Sequence, residues 1–350
     1  MHRIRVHVIY EHGYDKRPFG SASIRLLCPL SYPPIKNRFE ITSGVDYYGQ
    51  SVDVVILDRL WRPDVSLPLV EELVKSVKQA GAKLIYTLDD NFLEMPADQQ
   101  NLLTEEHGLI VQSLLTQADQ VWVTTAPLKE RFSEYSSNIA VIPNNLDERL
   151  LVPRFQRLDR PIFQRRFVIG MMGTYTHDDD LLMILPALQE IYERNPDRVE
   201  FQFIGAILRE ETRDQLSGLP VRFMRPKTVE GEYPLFMLWF TGQINWDIAI
   251  SPLRATPFNL FKSDIKFLDY CSIGSAGVFT QMPVYQNSVC DRVTGMMVDN
   301  QPESWCKAFE ELLGDDGLRA AIGREATHYL YSKRILAYHY QDWIDALESI

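Results

Sequence analysis

Three consecutive segments decide the fold class: VDVVIL at 52–57, PLVEELVKSVKQA at 68–80 and KLIYTL at 83–88. The first and third are apolar runs with the length of a buried strand, and the middle one has apolar residues at helical spacing until Gly81 ends it. An apolar strand, a helix and a second apolar strand, with no tight hairpin turn between them, are typical of a parallel β-α-β unit.

The same alternation continues in both directions from this unit. The first half adds predicted strands at 4–10, 120–124 and 138–142 and predicted helices at 23–30 and 104–117. The second half adds strands at 167–172, 199–204, 221–223, 247–250, 277–280 and 295–298 and helices at 181–194, 263–271, 302–313 and 332–350. The segment between the halves, 152–166, lacks clear periodicity and is predicted to be a linker. We therefore predict an α/β protein with two Rossmann-like domains of parallel sheet that face each other across a cleft.

Size and composition agree with this prediction. The chain has 350 residues, enough for about two domains, and its 45% hydrophobic and 24% charged residues are ordinary globular values. No apolar run approaches the ~18 residues that span a bilayer, and the charged start lacks the apolar stretch of a signal peptide. We expect a cytoplasmic protein. Its four cysteines are far apart, which argues against a disulfide framework and a zinc site.

The charge is unevenly distributed. A formal net charge of −11 argues against a general nucleic-acid-binding protein, because such a protein must neutralise phosphate charges. Residues 1–38 nevertheless contain seven Lys and Arg residues against Glu11 and Asp15, a local excess of +5. This segment could contact an anionic lipid at a membrane surface or a phosphorylated acceptor, or it could be a solvated face with no partner.

Several common catalytic and nucleotide-binding motifs are absent from the sequence. There is no P-loop, and Gly13 and Gly20 are too far apart for a dinucleotide-binding G-x-G-x-x-G. The G-x-S-x-G and H-E-x-x-H motifs are also missing. A phosphate site in this chain must therefore use helix N-termini and basic side chains.

One segment suited to this purpose is the turn after the strand at 167–172. It contains Gly173, Thr174, Thr176 and His177. Glycine and small hydroxyl side chains let backbone N–H groups approach an anion there, and the helix that follows provides a positive dipole end.

A second segment is predicted to be a helix with two lysines on one face. Lys262, Lys266 and Asp269 are spaced i, i+4 and i+7. The two ammonium groups repel each other unless an anion lies between them. A diphosphate would supply that anion, and Asp269 could accept hydrogen bonds from ribose hydroxyls. A solvated polar stripe with a weak Lys266–Asp269 pair explains the pattern equally well, so both interpretations stay open.

These motifs resemble those of the retaining glycosyltransferases of the GT-B fold, in the large family four, and especially of bacterial enzymes that build surface polysaccharides. The chain matches a G-T-x-T-H-x-x-D turn at 173–180 and a P-F-N-x-x-K-S-x-x-K helix at 257–266. The resemblance covers most of residues 165–330. In the first half it is looser and rests on the segments 20–25, 86–90 and 141–145.

The resemblance implies a metal-independent glycosyltransferase without a cofactor, acting in bacterial polysaccharide or glycoconjugate synthesis. It would transfer a sugar from a nucleotide-diphosphate sugar to a saccharide or lipid-linked acceptor with retention of configuration. It implies an acceptor-binding domain over 1–155, a donor-binding domain over 165–332 and a last helix over 333–350 that crosses back to the first domain.

The resemblance also assigns roles to residues of this chain. The predicted catalytic residues are Lys262, Lys266, His177, Asp89 and Asp90. The predicted donor-binding residues are Gly173, Thr174, Thr176, Asn259, Ser263, Asp269 and, as an outside candidate, Lys227. The predicted acceptor-binding residues are Gly20, Ser21 and Arg25. Asp89 and Asp90 would orient the acceptor hydroxyl, although an acid after a strand can also simply cap the next helical turn.

The chain departs from the family pattern at the donor sugar. Much of the family carries two glutamates eight residues apart, and here Asp269 is at the second position and Phe261, or Thr256 in another alignment, is at the first. A nucleotide-sugar-binding protein without catalysis and a nucleotide-sugar epimerase therefore stay open as alternatives. Metal binding by 89–90 or 178–180, as in the other major glycosyltransferase fold, is disfavoured because the Rossmann pattern occurs twice.

Overall fold

The computed structural model describes residues 3–94, 104–152, 166–174, 176–207 and 209–350. Within these residues the chain forms two six-stranded sheets, and all neighbouring strands in both are parallel. The predicted fold class is confirmed.

The first sheet has the strand order β2-β1-β3-β4-β5-β6. Its strands are β1 (Arg5–Ile9), β2 (Glu40–Gly44), β3 (Val54–Asp58), β4 (Lys83–Leu88), β5 (Gln120–Val123) and β6 (Ile139–Val141). Its helices are α1 (Gly20–Ala22), α2 (Cys28–Leu30), α3 (Pro33–Arg38), α4 (Leu67–Gln79), α5 (Glu105–Gln117) and α6 (Ala126–Phe132). The π-helical segment Ser23–Leu27 joins α1 and α2 into one helical run.

The second sheet has the order β12-β11-β10-β7-β8-β9. Its strands are β7 (Phe167–Gly173), β8 (Val199–Gly205), β9 (Val221–Met224), β10 (Ile248–Ser251), β11 (Ala276–Thr280) and β12 (Met296–Val298). The helices are α7 (Asp178–Met183), α8 (Leu185–Arg194), α9 (Glu210–Gln215), α10 (Tyr233–Gln243), α11 (Ile265–Ser272), α12 (Pro283–Gln286), α13 (Pro302–Gly314), α14 (Asp316–Lys333) and α15 (Leu336–Glu348).

Two predicted helices differ from the structure. The helix predicted at 181–194 is two helices, α7 and α8, and α8 begins just before Pro186, whose ring cannot continue the interior of a helix. The helix predicted at 263–271 begins only at Ile265. The strand β2 and six helices, α3, α6, α9, α10, α12 and α14, were not predicted.

The last helix returns to the first sheet. Its residues Trp343 and Leu347 are buried in the same apolar cluster as Val6 and Ile56 of the first sheet. The Trp343 Nε1–H donates a hydrogen bond to the backbone oxygen of Arg25 at 2.9 Å. The apolar side chains of α15 therefore attach the end of the chain to the first half.

The domain boundaries stay a prediction. The linker predicted at 152–166 lies, apart from its first and last residues, outside the described residues. None of the described helices combines the length and the apolar character needed to cross a bilayer.

Three arginines of the predicted basic segment 1–38 pair with acids from distant parts of the chain. Arg5 pairs with Asp53 at 3.1 Å, Arg17 pairs with Glu232 at 2.9 Å, and Arg38 pairs with Glu348. Arg25 is buried. The excess of +5 that was counted along the sequence is thus largely neutralised in space.

Candidate active site

The carboxyl ends of three neighbouring strands bring charged side chains together at one edge of the first sheet. The strands β1, β3 and β4 lie side by side. Glu11 follows β1, Asp58 and Arg59 stand at the end of β3, and Asp89 and Asp90 follow β4. Parallel strands end at the same edge, where open α/β sheets bind ligands.

Two arginines hold these carboxyl groups together. Arg25 Nη1 lies 3.5 Å from Asp58 Oδ1 and 3.6 Å from Asp89 Oδ1. Arg59 has Nη1 3.0 Å from Glu11 Oε2 and Nε 3.4 Å from Asp89 Oδ1. Asp89 therefore lies between two guanidinium groups.

Burial and these arginines together set the protonation of the edge. Burial raises the pKa of Glu11 to about 7 and the pKa of Asp58 to about 6, although nearby arginines oppose the rise. Burial acts on Asp89 too, but Arg59 and Arg25 outweigh it and hold the pKa of Asp89 below its ordinary value. At neutral pH the edge thus combines an ionised Asp89 with a Glu11 that is close to its titration point.

Three buried atoms of this edge, Glu11 Oε2, Arg59 Nε and Asp89 Oδ1, make no hydrogen bond among the described residues and are held only by the ion pairs given above. The hydroxyl groups of a sugar could donate to the two carboxyl oxygens. The edge is therefore chemically suited to a hydroxyl-rich ligand.

The predicted acceptor-binding residues lie on the helical run after β1. Ser21 Oγ accepts a hydrogen bond from Arg59 Nη1 at 2.9 Å. Gly20 is exposed, and a Cβ added to it would lie 3.8 Å from Tyr233 Cδ2 of the second half. Arg25 is only 6% exposed and lies beneath the edge, where it positions the carboxylates.

In the second half, close packing builds the turn at the end of β7. A Cβ added to Gly173 would lie 2.6 Å from His177 Cδ2, so glycine leaves room for the imidazole ring. Gly205, with a φ of +67°, approaches so closely that its Cβ would lie 1.9 Å from the carbonyl oxygen of Gly173. The hydroxyl oxygens of Thr174 and Thr176 lie 3.2 Å apart in the same turn.

The imidazole of His177 has a defined hydrogen bond. Its Nδ1 lies 2.9 Å from Asp180 Oδ2. Burial lowers the pKa of His177, Asp180 opposes this effect, and the charges of Lys262 and Lys266 reinforce it. A neutral imidazole that donates from Nδ1 leaves Nε2 as a hydrogen-bond acceptor. A sugar hydroxyl can donate a hydrogen bond to this nitrogen.

The three aspartates at 178–180 connect neighbouring loops. Asp178 Oδ1 accepts a hydrogen bond from the backbone N–H of Arg209 at 3.1 Å. Asp179 pairs with Arg254 Nη2 at 3.3 Å, and Asp180 accepts from the backbone N–H of Arg254 at 2.7 Å. In the part of the chain that the structure describes, no group of three or more His, Cys, Asp or Glu side chains is arranged to hold a metal ion.

Lys266 extends from α11 to the end of β7. Its Nζ lies 3.3 Å from Met172 Sδ and 3.8 Å from Asp269 Oδ2. Burial lowers the pKa of Lys266, whereas it raises the pKa of Asp269 to about 6. Asp269 Oδ1 has no hydrogen-bond partner in the described residues. Lys266 therefore contacts the end of β7, one residue before Gly173.

Lys262 lies in a loop beside the same site. The prediction that it shares a helical face with Lys266 is therefore wrong. Its backbone is extended, with φ −60° and ψ 157°, because α11 begins three residues later. Its Nζ lies 3.2 Å from Asp90 Oδ1 and 4.5 Å from the centre of the Phe258 ring. Its charge acts on both His177 and Lys266. The two lysines thus approach the site from different elements.

The remaining predicted donor-binding residues have different surroundings. Asn259 is buried, and its Nδ2 donates to the backbone oxygen of Arg254 at 2.9 Å, which fixes the loop before Lys262. Ser263 Oγ accepts a hydrogen bond from Asn144 Nδ2 of the first half at 2.8 Å. Lys227 is exposed and follows β9, the edge strand of the second sheet. The strand β8 lies between β9 and β7.

Sequence analysis missed Glu11, Asp58 and Arg59. A signal existed, because each stands at the end of an apolar strand, as Asp89 does. Applying the rule for strand ends to every strand, and not only to β4, would have found them.

Two parallel sheets, with charged strand ends on one and a glycine turn and two lysines on the other, define the class: this is the GT-B fold of glycosyltransferases. No protein-family model matches the chain. The chain is similar to a D-inositol 3-phosphate glycosyltransferase of Corynebacterium urealyticum, with 24% identity over 64% of this chain and 55% of that protein.

Solved structures have the same fold. A crystal structure of Anabaena Alr3699/HepE in complex with UDP and glucose has a TM-score of 0.70 at 13% identity, and the match covers 99% of this chain and 100% of that chain. A glycosyltransferase from Rickettsia africae has a TM-score of 0.66 at 11% identity, over 99% of this chain and 98% of that chain. The resemblance to GT-B glycosyltransferases is confirmed. The chain spans only 55% and 64% of the lengths of two curated relatives that it matches.

Proposed function

We propose that this protein transfers a sugar from a nucleotide-diphosphate sugar to a saccharide or lipid-linked acceptor, with retention of configuration and without a metal ion. The observation that carries the proposal is the convergence of Lys262, Lys266 and His177 at the end of β7, opposite Asp90 of the first sheet. We further propose that the protein acts in the cytoplasm, in bacterial polysaccharide or glycoconjugate synthesis.

In this proposal the two lysines and the backbone amides of the turn at Gly173 and Thr174 bind the diphosphate. Lys266, whose side chain is 22% exposed, lies 3.8 Å from an incompletely paired Asp269, so its ammonium group is already oriented before the ligand arrives. Preorganised positive charge stabilises the negative charge that develops on a departing diphosphate. His177 Nε2 accepts a hydrogen bond from a hydroxyl group of the donor sugar.

The first sheet supplies the acceptor side of the reaction. Asp89 and Asp90, together with Glu11, offer carboxyl oxygens to the hydroxyl groups of an acceptor sugar. The acceptor hydroxyl must reach the anomeric carbon from the face that the diphosphate leaves, because configuration is retained. The contact of Lys262 with Asp90 across the two halves supports this assignment, because the reaction needs the donor and the acceptor side by side.

The nucleotide is the first point to test. UDP is the first choice, since the similar Anabaena protein was crystallised with UDP. A thermal-shift series with UDP, GDP, dTDP and ADP should give one nucleotide that raises Tm in proportion to its affinity. If none raises Tm, and calorimetry finds no binding, the proposed donor site is wrong. Activity that requires Mn²⁺ and stops in EDTA would contradict the proposed metal independence.

Lys266→Ala tests the site. We expect kcat/KM to fall by about two decades or more, because the diphosphate loses a preorganised charge. The exposed Lys129→Ala is the control and should leave turnover unchanged. Steady-state transfer assays and thermal unfolding of both variants are the measurements. Near-normal turnover of Lys266→Ala would remove this lysine from the mechanism.

A nucleotide-sugar-binding protein without turnover is the second candidate. The position of the family's sugar-side glutamate is taken by Phe261, or by Thr256 in the other alignment, so no carboxylate is available there; Phe261 packs against the apolar core of the first half. Nucleotide binding without transfer to any acceptor and without donor hydrolysis would favour this candidate. Interconversion of free donors, visible by NMR, would indicate an epimerase.

A further inference from the structure

One ion pair joins the two walls of the cleft at the candidate active site. Lys262 Nζ of the second half lies 3.2 Å from Asp90 Oδ1 of the first half. The two side chains are 25% and 19% exposed, so both can be reached by a ligand. The Phe258 ring, 4.5 Å away, supports the ammonium group from one side.

Lys262 belongs to two sets of charges at once. On the donor side, burial is the main cause that lowers the pKa of His177 and of Lys266, and the charge of Lys262 lowers both further. On the acceptor side it helps to hold down the pKa of Asp89. A change in the position of this one ammonium group therefore affects both sides.

The backbone on either side of Lys262 is fixed to the first half independently of its side chain. Thr125 Oγ1 donates to the backbone oxygen of Phe261 at 3.1 Å, and Asn144 Nδ2 donates to Ser263 Oγ at 2.8 Å. Neither of these neutral contacts involves the lysine side chain. The lysine side chain can therefore exchange one partner for another by rotating, without movement of the loop.

We propose that Asp90 and the diphosphate of the donor compete for Lys262. Without a donor, Asp90 is a positioning residue that keeps the ammonium group at the cleft. When the diphosphate takes the lysine, the carboxylate of Asp90 is released to accept the hydrogen bond of an acceptor hydroxyl. Donor binding thereby prepares the acceptor side. This inference rests on the proposed function, because it uses the diphosphate of the donor.

The test is the affinity for UDP, or for whichever diphosphate the thermal-shift series selects. Because Asp90 competes with the ligand, Asp90→Asn should bind UDP about two- to five-fold more tightly, the size expected from losing a partly exposed ion pair. Lys262→Met should weaken the binding of UDP. When Asp90→Asn is added to Lys262→Met, the affinity for UDP should not change further. UMP, which lacks the second phosphate, should bind the wild type and Asp90→Asn equally.

The control is Asp119→Asn, which breaks an exposed Asp–Lys pair, 2.9 Å long, at the start of β4 and far from the cleft. It should leave the affinity for UDP unchanged. A purely structural Asp90 predicts unchanged or weaker UDP binding in Asp90→Asn, or an effect that persists beside Lys262→Met, and either result overturns the inference. If no nucleotide diphosphate binds to any variant, the proposed donor site fails, and the competition fails with it.

Discussion

Glu11 is a single residue whose protonation links the candidate acceptor site to the stability of the fold. Burial raises its pKa to about 7, Asp58 and Asp89 add to the rise, and Arg59 opposes it. The pKa is ordinarily 4.5, so the folded chain binds a proton more tightly than the unfolded chain does. The stability gained in this way is fully present below pH 4.5 and is lost as the pH rises through about 7.

Glu11→Gln should therefore flatten the pH dependence of stability. Glutamine resembles the protonated carboxyl group, so we expect the wild type to lose more in Tm between pH 5 and 8 than the variant, by at least a few °C. Thermal unfolding at several pH values measures the difference. The exposed Glu72→Gln is the control and should follow the wild-type curve. Parallel curves for Glu11→Gln and the wild type would contradict the raised pKa.

At the scale of elements, the turn between β7 and α7 positions His177 through a glycine. Gly173→Ala places a Cβ 2.6 Å from the imidazole, so the ring must move while the strand can keep its hydrogen bonds. We expect a folded protein with turnover reduced about ten- to hundred-fold, because a displacement of about 1 Å at a reacting centre has effects of this size.

Transfer assays and thermal unfolding check this prediction together. Gly218→Ala is the matched control, since a Cβ added to Gly218 meets no described atom within 4 Å. Unchanged turnover in Gly173→Ala would show that the position of the His177 ring is unimportant for the reaction.

The same elements show why sequence predicted most of the fold and less of the site. The strand at 83–88 was predicted with its observed bounds because an apolar run ends at the charged Asp89. By contrast, β2 is a mostly exposed edge strand, EITSG, whose residues lack both an apolar run and a strict alternation. Arg59 was missed because the rule for strand ends was not applied to β3; its φ of +47°, which turns the chain there, has no sequence signal of its own.

The lysines illustrate the same limit. Lys266 follows the helical pattern and lies in α11, within the predicted helix. Lys262 also fits the helical spacing, but the contacts of its neighbours with Thr125 and Asn144 hold the backbone extended. Interactions between two halves of a chain have no local sequence signal, so spacing alone could not predict the extended backbone at Lys262.

At the scale of the whole molecule, one arginine connects the two halves beside this loop. Arg334, at the end of α14, forms two hydrogen bonds with Asp264, at 2.6 and 3.0 Å. It also donates to the backbone oxygen of Asn144 at 2.8 Å. Asp264 lies just before α11, two residues from both Lys262 and Lys266. The contact that joins the halves is therefore continuous with the loop that carries the lysines.

Replacing this arginine should consequently affect stability and activity together. Arg334→Met leaves Asp264, 13% exposed, without its ion-pair partner, and we expect a loss of about 3 kcal/mol in the free energy of unfolding. Arg334→Met with Asp264→Asn removes the unpaired charge and should recover part of the stability. Turnover should stay low in both variants, because neither restores the contact with Asn144 that holds the loop. Urea unfolding and transfer assays measure the two effects. Full turnover in the double variant would mean that the lysines keep their places without the connection between the halves, and that the ion pair serves stability alone.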